Sequence, residues 1–237
     1  VPPPVLCAAC RLGGRAPSRL ALGLGLLGDA AARCVIIAQA LLEQHAEMRS
    51  LRLAPALAMG NCVVLKPAET TSVTCLKFAG ILQDAGLPPG VVNFVTGAGE
   101  VGAAVVSHPL AAKVAFTGST EVGKAIARAV AGTRKRVTLE LGGKAANIVF
   151  DDAPIDQAVE GVVNGSFFNQ GHVCCAGSRL LVHEPVFEDL LVRLRERLGT
   201  LRVGDPLDKN TDVGAINSRV QLEKIEELVA SGVAEGA

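Results

Sequence analysis

From Leu53 onward, short β-branched runs alternate with stretches whose apolar residues recur at helical spacing, and this alternation is what most constrains the fold. Asn61-Cys62-Val63-Val64-Leu65-Lys66, closed by Pro67, reads as a strand. Thr70 and Thr71 stand where a helix is capped, and Val73, Leu76, Ala79, Gly80 and Leu82 supply its apolar positions before Gly86 and Pro88 end it. Further strands are predicted over 90–96, 113–116, 136–141, 147–150 and 178–182. A short helix runs up to His108-Pro109, and others are predicted over 120–131, 155–168, 186–198 and 218–231. Strands and helices at this pitch imply an α/β fold built on a doubly wound parallel sheet with right-handed crossovers.

Composition excludes several classes of partner. Lys plus Arg (23) balance Asp plus Glu (23), so no basic excess draws the chain to nucleic acid or an anionic membrane. With no Trp or Tyr and only 7 Phe, it is poorly equipped to stack bases. No apolar run reaches the roughly 18 to 20 residues of a membrane-spanning helix. The 7 cysteines are odd in number and match no zinc spacing, and Cys7-x-x-Cys10 lacks a second pair, so a reducing cytoplasm is expected and no metal.

Residues 1–50 stand apart. They begin at Val1, carry Pro2-Pro3-Pro4, and scatter five arginines among Ala, Leu and Gly. Arg19 followed by Leu20–Leu27 resembles the first two parts of a secretory signal, but no Met precedes it, and a divergent or mis-called amino end is expected instead.

Two glycine patterns compete for a phosphate. Gly97-Ala98-Gly99-Glu100-Val101-Gly102 is a literal GxGxxG between a strand and a helix. Phe116-Thr117-Gly118-Ser119-Thr120-Glu121-Val122-Gly123 instead runs a strand into a helix whose first-turn amides and hydroxyls face an anion. Local chemistry alone divides them evenly. Downstream, Cys174 and Cys175 lie in a glycine-bounded loop between a helix and a strand, where a nucleophilic thiolate can be displayed on a rigid support. His172 nearby is a candidate base, and Glu140 at the end of a strand is a candidate carboxylate, expected to be partly buried.

Taken together, Leu139-Glu140-Leu141-Gly142-Gly143-Lys144 and Phe168-Asn169-Gln170-Gly171-x-x-Cys174 resemble the glutamate and cysteine signatures of the NAD(P)-dependent aldehyde dehydrogenase superfamily. Leu65-Lys66-Pro67-Ala68-Glu69, Pro88-Pro89-Gly90-Val91-Val92-Asn93 and Phe116-Thr117-Gly118-Ser119-Thr120 match as well, in the family's order, from Leu53 to the carboxyl end. The resemblance implies a Rossmann-like cofactor domain over 51–142, after the divergent segment 1–50, and an incomplete α/β catalytic domain over 143–237. It assigns the cofactor to the turn from Gly118 through Ser119 to Gly123 rather than to the literal GxGxxG. Cys174 takes the nucleophile position, attacking an aldehyde to give a thiohemiacetal and then a thioester, and Glu140 activates the hydrolytic water. Lys66 and Glu69 match positions that hold the adenosine ribose, where a carboxylate favours NAD over NADP.

The expected partner is a small-molecule aldehyde. Full-length members form homo-oligomers, and the oligomerising tail and a later Glu-x-x-Phe-Gly-Pro segment have no counterpart here. The family's Pro-Trp-Asn-Phe-Pro segment, whose Asn donates to the oxyanion, is also missing; counting back from Lys66 without gaps puts Glu43 at the Asn position. The chain is therefore expected to be a fragment with weak turnover. The competing expectation is a non-catalytic nucleotide-binding or subunit-interaction protein that keeps the fold.

Overall fold

The structure is a computed structural model that describes residues 34–39 and 53–237. The Cys7–Cys10 pair, the apolar Leu20–Leu27 stretch and Glu43 lie outside the described residues. The described residues divide into two compact units, with the division between Leu141 and Gly142. No helix among them is long and apolar enough to cross a membrane.

The first unit is a five-stranded parallel sheet. In chain order its strands are β1 (Cys34–Gln39), β2 (Cys62–Lys66), β3 (Val92–Phe94), β4 (Ala111–Gly118) and β5 (Arg136–Leu141). Their spatial order is β3-β2-β1-β4-β5, so the chain winds outward from β1 in one direction and then returns to wind in the other. That reversal is the defining feature of a doubly wound sheet, and it opens a crevice beyond the carboxyl ends of β1 and β4. The central strand falls in the segment that the sequence set apart. Its Val35-Ile36-Ile37 run is β-branched but is too short, among Ala and Arg, to stand out.

Helices cover both faces because the strands are apolar on both sides. On one face a helix over 53–58 (α1) and α2 (Ser72–Asp84) enclose Leu53, Val63, Leu65, Cys75 and Ala115. On the other, α3 (Gly99–Ser107) and α4 (Thr120–Val130) enclose Val106, Val114, Phe116, Ile126 and Val130, with Leu139 and Leu141 of β5 packed against them. The period-two alternation of β5 therefore sends Leu139 and Leu141 toward α4 and Glu140 to the opposite face.

The second unit holds the parallel pair β6 (Ala146–Val149) and β7 (Arg179–Val182). Helices α5 (Ile155–Phe167) and α6 (Phe187–Gly199) bury Val149, Val159, Val162, Val163, Leu190 and Leu194 on one side of that pair. Arg193–Asp156 (2.7 Å) and Arg197–Glu160 (2.6 Å) tie the two helices together at their exposed edge. A last helix, α7 (Arg219–Ala234), buries no residue and leaves Val220, Val229 and Val233 in solvent.

Candidate active site

Lys66 ends β2 with only 7% of its surface exposed. Its Nζ donates to Glu69 Oε1 at 3.0 Å and to the Pro67 carbonyl at 3.2 Å, so a buried cation is met by one anion and one dipole. Pro67 stops the strand, and Glu69 begins the single 3₁₀ turn that brings its carboxylate back over the lysine. The Glu69 carboxyl is held below its usual 4.5, first by its own backbone amide and next by Lys66.

Beside this pair opens a cavity of ≈ 450 Å³, a size typical of small-molecule sites. Gly99, Gly102 and Val106 of α3 form one wall, Val122 and Ile126 of α4 the other, and Phe116 of β4 contributes between them. Both glycine patterns thus border one cavity. Gly97, at φ 147°, adopts a backbone that only glycine holds comfortably, and a Cβ there would overlap Val101. Gly102 lies over the Lys66 stem, where a Cβ would come 3.7 Å from Cδ.

The second pattern divides its labour. Gly118 closes β4 in the interior, and Ser119 caps α4 by accepting a hydrogen bond from the Val122 amide at 3.2 Å. Gly123 does not line the cavity. It is buried beneath Leu141, whose Cδ2 would lie 2.5 Å from an added Cβ, so it sets the approach of α4 to β5.

Glu140 corrects the expectation of a partly buried carboxylate: it is exposed. It pairs in register with Thr117 on the face of β5 that turns away from α4.

In the second unit Cys174 and Cys175 are both exposed. They occupy the tip of a turn closed by the Ala176 amide donating to the Val173 carbonyl at 3.0 Å. The chain enters this loop through three consecutive left-handed residues, Asn169 (φ 50°), Gln170 (φ 56°) and Gly171 (φ 73°), an arrangement that costs energy at the two non-glycine positions. His172 follows, half-buried. Sequence reasoning did not single out Asn147, Ser166 or Gly177, which meet at the base of the loop: the Asn147 Nδ2 donates to Ser166 Oγ at 3.1 Å and to the Gly177 carbonyl at 3.0 Å. Their signal was faint, a polar residue opening a predicted strand and a glycine beside two cysteines. Among the described residues no group of three or more His, Cys, Asp or Glu could hold a metal ion.

The model of the aldehyde dehydrogenase family matches residues 46–237. Retinal dehydrogenase 2 of Rattus norvegicus is 50% identical over 192 residues, which cover 80% of this chain and 37% of that protein. Betaine aldehyde dehydrogenase 2 of Rhizobium meliloti is 44% identical over 191 residues, 81% of this chain and 40% of that one. Among solved structures, aldehyde dehydrogenase C of Pseudomonas syringae, determined with NAD+ and octanal, superposes with a TM-score of 0.82 at 37% identity, covering 87% of this chain and 43% of that chain. The chain thus spans about two fifths of the length of the curated relatives it matches.

Proposed function

The chain belongs to the aldehyde dehydrogenase family, and on that footing we propose that it serves the NAD-linked oxidation of an aldehyde to a carboxylic acid. The observation that carries the reading is Cys174, an exposed thiol at the tip of a closed turn, third after Gly171, where the family places its nucleophile. As a thiolate, Cys174 Sγ adds to the carbonyl carbon, and the carbonyl oxygen receives the electron pair. The nicotinamide cofactor, when bound, supplies the acceptor for the hydride that the thiohemiacetal carbon loses in becoming a thioester. The resemblance gives Glu140 the part of the base that takes the proton of the water attacking this thioester, and the acid departs as Sγ is regenerated.

The residues of the first unit fit such a cofactor. Val106, Phe116, Val122 and Ile126 offer apolar walls for a base, and Lys66 with Glu69 offers a donor and an acceptor for ribose hydroxyls at the cavity's edge. The anionic Glu69 would repel a 2′-phosphate, which favours NAD over NADP. Gly118, Ser119 and the first-turn amides of α4 would lie along the pyrophosphate, and Gly123 serves them by seating the helix. The substrate is a small aldehyde, and the exposed thiols suit a reducing cytoplasm. A second reading, a nucleotide-binding protein without turnover, rests on the gap-free count that gives Glu43, outside the described residues, the family's oxyanion-donor position, where a carboxylate would oppose the charge that develops.

A single-turnover experiment with the full chain, NAD and a short aldehyde tests the proposal. Slow NADH formation together with an acyl adduct on Cys174 is expected, both lost in Cys174→Ala. Equal signals from wild type and Cys174→Ala would overturn the catalytic reading.

A further inference from the structure

We propose that Asn147 and Ser166 are positioning residues that set the orientation of the Cys174 turn; the inference rests on Cys174 being the nucleophile. Ser166, in the last turn of α5, touches both flanks of the loop. On the entry side, a Cβ on Gly171 would lie 3.0 Å from the Ser166 carbonyl oxygen, so that backbone passes close against the helix. On the exit side, Ser166 Oγ donates to the Gly177 carbonyl at 2.9 Å. The Asn147 Nδ2 uses its two hydrogens on Ser166 Oγ and the same Gly177 carbonyl. Gly177 completes the closure by donating its amide to the Gly165 carbonyl at 2.9 Å.

Both backbone groups of Gly177 are used in full. The Gly177 carbonyl accepts two hydrogen bonds, one for each lone pair, and its amide is spent on the helix end. The peptide planes on both sides of Gly177 are thereby held. A Cβ at 177 would overlap the Asn147 carboxamide, so a side chain there would displace the group that holds the loop. Only Cys175 and Ala176 separate this anchor from Cys174, and Ala176 is buried at 5% exposure and bonded back to Val173. With the strained run Asn169–Gly171 on the other flank, the turn has little freedom left. Two adjacent thiols are exposed at its tip, and the orientation of the turn decides which of them meets an incoming electrophile. Neither Asn147 nor Ser166 touches that electrophile; both act through Gly177.

The full chain and its Asn147→Ala, Ser166→Ala and Ser166→Thr variants are compared in two measurements. Hydrogen exchange follows the peptide spanning 172–178, and brief iodoacetamide labelling followed by mass spectrometry gives the ratio of Cys174 to Cys175 modification. Slow exchange of α6, which buries Leu190 and Leu194 in the same unit, reports that each variant is folded. Wild type is expected to label Cys174 first. Asn147→Ala and Ser166→Ala each remove one of the two hydrogen bonds on the Gly177 carbonyl and should exchange about tenfold faster in that peptide, and their labelling ratio should fall toward one. Ser166→Thr, which keeps the hydroxyl, should behave as wild type. If Asn147→Ala loses the protection of α6, the Ser166 pair decides. An unchanged ratio and unchanged exchange in Ser166→Ala would overturn the positioning role and leave the nucleophile in place. A wild-type preference for Cys175 would overturn the nucleophile assignment and, with it, this inference as stated for Cys174.

Discussion

Lys66 ends a buried strand with little of its side chain open to water, and Glu69 three residues on is its anionic partner. Because the Glu69 carboxyl titrates lower in the folded chain than its usual 4.5, the folded state holds its proton less tightly than the unfolded state does. The stability this provides is fully present above the unfolded value and is lost as pH falls through the lower folded one. Glu69→Gln should therefore lower stability in urea denaturation at neutral pH, and the difference from wild type should shrink on acidification below 4.5. With the Glu69 side chain 58% exposed, the effect is small, about 0.2–1 kcal/mol. The same substitution bears on cofactor choice. Titration calorimetry of the wild type should show tighter binding of NAD than of NADP, and Glu69→Gln should narrow that ratio about tenfold, the equivalent of 1.4 kcal/mol. An unchanged ratio would take Glu69 out of the ribose site.

Helix α4 and strand β5 meet where a glycine faces a leucine. Gly123 has no Cβ, and the two terminal carbons of Leu141 lie 2.5 and 2.7 Å from where one would be. Gly123→Ala should therefore force the helix outward or the leucine off its rotamer, at about 1–3 kcal/mol in chemical denaturation. Adding Leu141→Ala should recover part of that loss, since the two positions are in contact and do not add independently. The cap at the head of the same helix makes a separate contribution. Ser119→Ala leaves the Val122 amide without its acceptor and should cost about 1 kcal/mol. If both helix substitutions weaken NAD binding while Glu140→Gln does not, the cofactor depends on how α4 is seated rather than on the far face of β5.

At the scale of the whole chain, the division into two units falls in an exposed stretch. Gly142, Gly143, Lys144 and Ala145 are all open to solvent between β5 and β6. Limited trypsin treatment should cut after Lys144, and after Lys209 in the exposed loop before α7, well ahead of Arg193, Arg195 or Arg197 within α6. Early cleavage inside α6 would contradict the packing of that helix on α5. The residues assigned to chemistry divide the same way: Lys66, Glu69, Ser119 and Glu140 belong to the first unit and Cys174 to the second.

Local pattern was enough to read most elements of this protein. The β-branched runs at Cys62–Lys66 and Arg136–Leu141, the capped helix after Ser119 and the glycine-bounded cysteines are legible because each depends on residues within a few positions of one another. What needed the tertiary structure depends on partners far apart in the chain. The central place of Cys34–Gln39 follows from pairing with both β2 and β4, a choice that its own short apolar run does not encode. One cavity uses both glycine patterns because the β3-to-β4 and β4-to-β5 connections run the same way across the sheet, which puts α3 and α4 on one face. Glu140 is exposed because register, not residue type, decides which face of β5 a side chain takes. The clamp on Gly177 joins residues 147, 166 and 177, and a hydrogen bond between a strand, a helix end and a loop leaves no periodic trace in a sequence.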